Sequence, residues 1–355
     1  MRSFRGMFSL LMVLIFAVGC GNTTSRLPTL ALTATSIPPS ESTTTIEMVD
    51  QAETVTPEPS ALPPTSLNGK IILVRSDQDN SSLGRELEGF LSASIYGGEL
   101  DLEIKPTLHV AEIQPDWRVI VLLKADENLP AAIAAAPETQ FVVFSNVDLG
   151  MTETLNVIRL QPEKQAFTAG YLSVLMAPDW RAAGLLPESG SRAGVLYPSY
   201  RLGGGYFCGI CNSFYAPIVN FPMGVQIPVS EDPAYWSSRI EEAHANVIYL
   251  MYLDTEIMKP ALIEYVTTKG YILMGGDTPE NGLPEKWAVT IKEDAITPFT
   301  EIWAAVVNGE GGNIKNAQIK LTDINTAYLT EGKQKLVQEM LDDLNAGLIS
   351  PSLIQ

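Results

Sequence analysis

The chain holds few of the side chains that nucleophilic or metal-assisted catalysis needs. It has two histidines, His109 and His244, and three cysteines. Cys208-Gly-Ile-Cys211 has the spacing of a thiol–disulfide redox motif, but two cysteines without a nearby histidine are too few for a structural zinc site. GxSxG, HExxH and P-loop motifs are absent from the sequence, and Gly203-Gly-Gly205 does not fit a dinucleotide fingerprint. The sequence therefore predicts neither an enzyme nor a resident cofactor.

The third cysteine, Cys20, ends a segment with the layout of a secretion signal. Arg2 and Arg5 form a basic start, residues 7–18 are almost wholly apolar, and small residues directly precede Cys20. This order resembles a bacterial lipobox, in which the cysteine is diacylated. The apolar run is too short to span a bilayer, which takes about 20 residues. We therefore expect 1–20 to be a lipoprotein signal and Cys20 to anchor the protein on the extracytoplasmic face of the cell membrane.

Composition separates a tether from a folded part. Residues 21–67 are rich in Thr, Ser and Pro, so they cannot bury enough apolar area to offset ordering entropy, and we expect a disordered tether. The whole chain has 355 residues, of which 46% are apolar, and a formal charge of −18. That apolar fraction is ample for a core in 68–355. The acidic charge repels phosphate backbones, so nucleic acid is not an expected partner.

Within 68–355, apolar strand runs alternate with helical patterns, which is typical of parallel α/β sheets. The predicted strands are 70–75, 119–123, 140–144, 156–160, 182–186, 193–197, 225–229, 247–252, 271–274 and 288–291. The predicted helices are 82–93, 129–136, 163–176, 233–245, 256–268, 296–307 and 331–346. These units are too many for one small sheet, so we expect two Rossmann-like lobes. The first lobe would cover about 68–180 plus part of 280–325, and the second about 181–280 plus the C-terminal segment.

Seven segments, in order, resemble motifs of basic membrane protein (BMP) family substrate-binding lipoproteins. They are 163–175 (EKQAFTAGYLSVL), 182–197, 206–217, 247–250 (VIYL), 271–277 (YILMGGD), 287–295 (WAVTIKEDA) and 344–351 (LNAGLISP). The resemblance implies a type I periplasmic-binding fold, with two lobes joined by crossing hinge strands and a ligand closed between them. It also implies an ABC permease as partner and a small polar, nucleoside-like ligand. We expect a monomer. The alternative is a surface sensory or interaction lipoprotein that has this fold without a transport role.

The candidate ligand residues follow strand ends, where open α/β sheets bind ligands. They are Asp77, Ser145, Asn146, Asp277 and Lys292. Relatives stack a Phe on a base after the first Asp, whereas 80–83 (NSSL) has no aromatic here. The candidate substitutes are Tyr197, Tyr200, Tyr206 and Phe207, with Tyr206 and Phe207 as the predicted ligand residues and core packing as the alternative role. An extracytoplasmic location favours a disulfide between Cys208 and Cys211 near the cleft. Free buried thiols and a redox pair are the alternatives.

Overall fold

A computed structural model describes residues 69–76, 81–95, 100–230 and 232–352. The predicted signal with Cys20, the predicted tether and the candidate ligand residue Asp77 lie outside these residues. None of the described helices is long and apolar enough to cross a membrane.

The described chain alternates strands and helices. The strands are β1 (Gly69–Val74), β2 (Leu100–Lys105), β3 (Trp117–Leu122), β4 (Gln140–Ser145), β5 (Leu155–Arg159), β6 (Ala182–Pro187), β7 (Cys211–Asn212), β8 (Asn220–Phe221), β9 (Met223–Ile227), β10 (Leu250–Leu253), β11 (Ile272–Gly275), β12 (Trp287–Asp294), β13 (Ile314–Asn316) and β14 (Gln318–Thr322). The helices are α1 (Ser82–Ser94), α2 (Leu129–Ala135), α3 (Pro162–Met176), α4 (Ala193–Cys208), α5 (Ser237–His244), α6 (Pro260–Thr268), α7 (Ile296–Val307) and α8 (Glu331–Asn345). Short 3₁₀ turns lie at Val110–Glu112, Pro178–Trp180, Pro233–Tyr235 and Thr255–Ile257.

Twelve of the described strands form two six-stranded sheets, one in each lobe, and β7 pairs with β8 in a separate two-stranded sheet. The first has the order β13-β5-β4-β3-β1-β2 and is wholly parallel. The second has the order β14-β12-β11-β10-β6-β9 and is parallel except for β14. Alternate residues of β1 enter different core clusters on the two faces, Ile71 and Leu73 on one and Ile72 on the other. Helices cover both faces, so the central strands are apolar throughout.

The chain crosses between the lobes three times, at Leu160–Gln161, at Ala295 and at Ala317. Helix α3 packs in the core of the second lobe, so the first crossing precedes the boundary near residue 180 that the sequence suggested. The Gln161 side chain donates to the Ala317 carbonyl, and its backbone N–H donates to Glu293 Oε1 at 2.6 Å. Gln161 therefore links all three crossings, since Glu293 lies two residues before the one at Ala295.

The sequence-based prediction of a strand at 193–197 was wrong, because this segment begins helix α4. Its buried residues Ala193, Leu196, Tyr200 and Gly203 recur at helical spacing. The glycines at 203–204 serve helix packing: a Cβ on Gly203 would lie 1.9 Å from the Phe167 carbonyl oxygen of α3. The glycine cluster is thus explained by the close approach of two helices.

Candidate functional site: the interlobe cleft

The carboxyl ends of both parallel sheets border a cleft between the lobes. A cavity of about 470 Å³ lies there and is lined by residues of both lobes. Its polar lining residues are Arg75, Ser76, Ser81, Ser82, Thr107, Lys124, Asp126, Gln165, Arg192, Thr255, Asp277, Lys292 and Glu293. A second cavity of about 240 Å³ shares Leu123, Lys124, Leu160, Arg192 and Glu293 with the first. The two cavities are therefore compartments of one cleft, with Lys124 and Arg192 at their boundary.

A buried charge cluster forms the second-lobe wall of the cleft. Arg192 precedes α4, Asp254 follows β10, and Glu293 lies near the end of β12. Arg192 Nη2 lies 3.5 Å from Asp254 Oδ2 and 3.8 Å from Glu293 Oε2, and the side-chain exposures of the three residues are 11%, 0% and 10%. Two carboxylates thus share one guanidinium in a site with little water.

Burial and charge shift the protonation equilibria of this cluster in opposite directions. Burial raises the pKa of the Glu293 carboxyl, and the Arg192 guanidinium only partly offsets this effect. Burial likewise raises the pKa of Glu256 at the edge of the cluster. For Arg192, burial lowers the pKa, but Asp254 and Glu293 outweigh it and the net pKa is raised. Arg192 is therefore a permanent cation, whereas the raised pKa of Glu293 makes this carboxyl take up a proton more readily than an exposed glutamate does.

Gln165 connects the charge cluster to the strand ends. Its Nε2 donates to the Gly276 carbonyl at 2.9 Å and to the Ile291 carbonyl at 2.7 Å, while its Oε1 accepts from Arg192 Nη2 at 2.7 Å. Because its Nε2 and its Oε1 both have partners, and the two Nε2 bonds are buried, the amide orientation is fixed and it holds the guanidinium against the cavity.

Helix α1 of the first lobe contacts the second lobe through three polar pairs, which we call the α1 clamp. In these pairs the Ser82 N–H donates to Asp277 Oδ2 at 3.0 Å, Arg85 lies 2.6 Å from Glu280 Oε1, and Lys292 forms an ion pair with Glu86. The three α1 residues are spaced i, i+3 and i+4, so they share one helix face. The clamp therefore joins the lobes along one side of the cleft.

Four of the predicted ligand residues line the cleft. Asp277 and Lys292 line the larger cavity, where both also belong to the α1 clamp. Ser145 and Asn146 line the smaller cavity. The Ser145 hydroxyl bonds within its own loop, to the backbone of Val147, whereas Asn146 Nδ2 donates across the cleft to the Ser191 carbonyl at 3.3 Å. These four side chains thus already form hydrogen bonds or ion pairs within the protein: Asp277, Lys292 and Asn146 between the lobes, and Ser145 within its own loop.

Tyr206 and Phe207 do not lie at the cleft, which corrects the expectation that they replace the missing stacking aromatics. Neither lines the two cavities. They occupy the last turn of α4, where Tyr206 contacts Phe167 and Phe207 contacts Tyr171. Because α4 begins at the cleft and rises about 1.5 Å per residue, its end lies about 20 Å away.

The cysteine pair also lies away from the cleft. Cys208 and Cys211 form a disulfide, with Cα atoms 5.5 Å apart, that closes the turn after α4. Cys208 is the last residue of α4. The negative end of a helix dipole disfavours a thiolate, whereas thiol–disulfide enzymes lower the thiol pKa at helix N-termini. The position therefore favours a structural bond over the redox alternative.

Four residues of the cleft were not predicted from the sequence: Arg192, Gln165, Glu293 and Lys124. Lys124 follows β3 and lines both cavities. Arg192 lies in the loop after β6, and the residues that follow a parallel strand are the ones expected to border a ligand. Because 193–197 was predicted to be a strand, Arg192 was not recognised as the residue directly before a helix. No local pattern marks Gln165, because its partners Gly276 and Ile291 lie more than 100 residues away and Arg192 lies 27 residues away.

Comparisons with known proteins agree with this architecture. No protein-family model matches the sequence, and no curated protein sequence matches it. Among solved structures, an ABC transporter solute-binding protein from Aeropyrum pernix K1 superposes with a TM-score of 0.61 at 12% identity, over 80% of this chain and 92% of that one. The chain has the type I periplasmic-binding fold. A solute-binding protein from Conexibacter woesei DSM 14684 gives 0.56 at 11% identity, over 79% and 98% of the two chains.

A further structure with this fold is described as a transcriptional activator of the comK gene from Bacillus halodurans. It gives a TM-score of 0.55 at 11% identity, over 78% of this chain and 97% of that one. The type I periplasmic-binding fold therefore covers nearly the whole described chain. Likeness at this level of identity establishes architecture, and function must be argued from the site.

Proposed function

We propose that this protein is a lipid-anchored solute-binding protein that captures a small polar ligand in the interlobe cleft and delivers it to an ABC importer. The observation that carries the proposal is the cavity of about 470 Å³, lined from both lobes and bordered by the chain crossings. Closure of two lobes around a ligand buries it and changes the shape that a membrane partner meets. No histidine or cysteine is among the described residues that line the two cavities, so the serines there have no neighbouring histidine to activate them. A binding role therefore explains the cleft better than nucleophilic catalysis does.

The lining chemistry supports a ligand recognised by hydrogen bonds. Hydroxyls, a buried amide and charges of both signs face the larger cavity, and no aromatic side chain is among its described lining residues. Phe144 is the only aromatic that lines the smaller one in the described chain. A nucleoside-like ligand, the candidate that the BMP resemblance suggests, would here be held through its sugar hydroxyls and base edges. Simple sugars and amino acids belong in the same test.

The anchor and the partner are parts of the same proposal. A diacylated Cys20 followed by a Ser/Thr/Pro-rich tether would hold the domain near its permease on the extracytoplasmic face of the membrane. The acidic charge of the chain gives it no attraction to nucleic acid. We propose that the domain acts as a monomer, since one chain supplies both walls of the cleft.

A thermal-shift and calorimetric screen of nucleosides, pentoses, hexoses and amino acids tests the binding function. A ligand at 100 times its Kd should stabilise the fold by about 2.7 kcal/mol. Lys124→Met should weaken binding, because Lys124 lines both cavities and forms no ion pair with another described residue. Lys335→Met on α8 is the matched control, with a side chain 80% exposed. If no compound shifts the protein, or if both variants bind equally, the proposed site is wrong.

A sensory or interaction role without transport is the second candidate. It is favoured by the structural likeness to a protein described as a transcriptional activator. Both candidates predict ligand binding, so uptake of the identified ligand separates them. Loss of uptake on gene deletion supports transport, whereas unchanged uptake with altered gene expression supports sensing.

A further inference from the structure

Large apolar side chains are exposed in the last turn of α4 and in the β7–β8 segment that follows it. They are Tyr206 (52% exposed), Phe207 (38%), Ile210 (75%), Phe214 (73%), Tyr215 (75%) and Ile218 (63%), and we call this set the hairpin surface. Single exposed apolar residues are ordinary, but six within 13 residues of the chain are a local concentration of exposed apolar surface, which on soluble proteins marks an interaction site.

The segment that carries the hairpin surface is firmly anchored. The disulfide closes its first turn, and β7 pairs with β8 at its base. Arg181, with a side chain 3% exposed, donates to the carbonyls of Tyr215 and Pro217. Asp179 accepts from the Phe214 N–H at 2.7 Å, and Trp180 packs on the Phe214 ring. The apolar side chains are therefore presented in a fixed geometry, which lowers the entropic cost of binding.

The hairpin surface lies at the pole of the second lobe opposite the cleft. It follows the C-terminus of α4 and precedes β9, and its anchor Arg181 precedes β6. All of these chain ends are at the amino edge of the sheet, whereas the cleft borders the carboxyl edge. A contact here involves one lobe only, so it does not change when the lobes close. The surface therefore suits a constant attachment better than recognition of the closed state by a permease.

Charge distribution points to the chemistry of the occupant. Residues 202–230 are 29 consecutive residues without a charged side chain, in a chain whose formal charge is −18. The two charges beneath the surface, Asp179 and Arg181, are paired with each other and are 11% and 3% exposed. At the helix end a charge is nearby, because Glu339 of α8 acts electrostatically on Tyr171, which contacts both Tyr206 and Phe207. The tyrosine, phenylalanine and isoleucine side chains of the hairpin match the interfacial region of a bilayer, where aromatic rings collect. A second copy of this strongly acidic chain would instead be repelled.

We propose that the hairpin surface inserts into the interfacial region of the membrane and orients the anchored domain. This inference rests on the proposed lipid anchor at Cys20. The 47 residues from 21 to 67 can extend to about 160 Å, whereas a domain of this size has a radius of gyration of about 19 Å. The tether is thus long enough for this pole to face the bilayer while the cleft stays in solution.

Depth-dependent quenching by brominated lipids tests the proposal. The full lipidated chain is reconstituted into phosphatidylcholine vesicles with and without brominated acyl chains, and wild-type emission is subtracted. The difference from the wild type is the emission of the introduced tryptophan. For Tyr215→Trp, brominated vesicles should quench at least half of this emission. Tyr235→Trp, at a 62% exposed tyrosine before α5, is the matched control and should lose less than a tenth. Adding Ile210→Ser and Ile218→Ser to Tyr215→Trp should at least halve the quenching.

Each remaining outcome contradicts the proposal. Equal quenching of the two variants, or none, would show that this pole does not enter the bilayer. If the added emission of Tyr215→Trp is protected from aqueous acrylamide but not quenched by brominated lipid, another copy covers the surface. Mass spectrometry of the N-terminal peptide checks the acyl chains on Cys20 separately, so failure of the anchor is distinguishable from failure of the membrane contact.

Discussion

The hydrogen bond from Ser82 to Asp277 can be removed without altering a side chain of the second lobe. Ser82 is the first residue of α1, after the N-cap residue Ser81, which has an extended backbone (φ −62°, ψ 149°). Proline is well tolerated at this helix position and after an extended residue, and it lacks the N–H donor. Ser82→Pro therefore deletes one pair of the α1 clamp and leaves Asp277 available to a ligand.

The size of the effect follows from the exposure of each pair. A hydrogen bond to a charged acceptor contributes about 1.5–3 kcal/mol, and since Ser82 and Asp277 are half-buried we take about 1.5. That corresponds to about a tenfold fall in the ratio of closed to open lobes. Glu86→Gln should lower the ratio up to about fivefold, because the Lys292 side chain is only 15% exposed. Arg85→Gln should lower it about twofold, because Arg85 and Glu280 are 46% and 38% exposed.

Pulsed electron–electron distance measurements report the two populations directly. Spin labels at the exposed positions Glu127 in the first lobe and Asn281 in the second would lie on either side of the cleft. The long-distance population should grow in the order Arg85→Gln, Glu86→Gln, Ser82→Pro. Asp126→Ala is the matched control, because this cavity carboxylate accepts from the Asn128 N–H in its own loop at 2.7 Å. An unchanged distribution in Ser82→Pro, or an equal shift in the control, would refute the clamp.

Two further predictions concern the charge cluster and the disulfide. Because the folded-state pKa of Glu293 is raised above its ordinary 4.5, the folded protein binds more protons than the unfolded chain between those values, so stability should fall as pH rises through that window. Glu293→Gln should flatten this decline in urea unfolding between pH 4 and 7, and an unchanged slope would contradict the assignment. Replacing both Cys208 and Cys211 by Ser opens a four-residue loop and should cost about 2 kcal/mol, measured by denaturant unfolding. The wild-type pair should not reduce insulin, and turnover would restore the redox alternative.

Sheet architecture could be predicted where strands are apolar on both faces. Runs such as β3 and β4 alternate with longer helical patterns, which favours parallel strands, and the number of such units predicts two lobes. The edge strands β2 and β14 were missed; both alternate apolar and polar residues, and β2 has no buried residue while β14 has one. The segment 193–197 was misassigned because five apolar residues fit a strand or a buried helix equally well, and only the packing of Leu196 and Tyr200 decides between them.

The cleft itself was predictable only in part. Strand ends indicated Ser145, Asn146 and Asp277, since the carboxyl edge of a parallel sheet must border the ligand. Nothing local showed that Asp277 and Lys292 would bind α1, because their partners come from the other lobe, about 200 residues away. Tyr206 and Phe207 were placed at the cleft for their chemistry alone, and the length of α4 moved them to the opposite pole.

The link between occupancy and closure follows from the position of Glu293. Its carboxylate accepts from the Gln161 N–H at one chain crossing, lies two residues before the crossing at Ala295, and faces Arg192 in the cavity wall. A ligand that approaches Arg192 or Lys292 thus acts within one or two bonds of the hinge. Such a ligand changes the charge around Glu293 and, with it, the strength of the Gln161 hydrogen bond. The cavity wall and the hinge are therefore adjacent, joined by the Arg192–Glu293 ion pair and the hydrogen bond from the Gln161 N–H to Glu293.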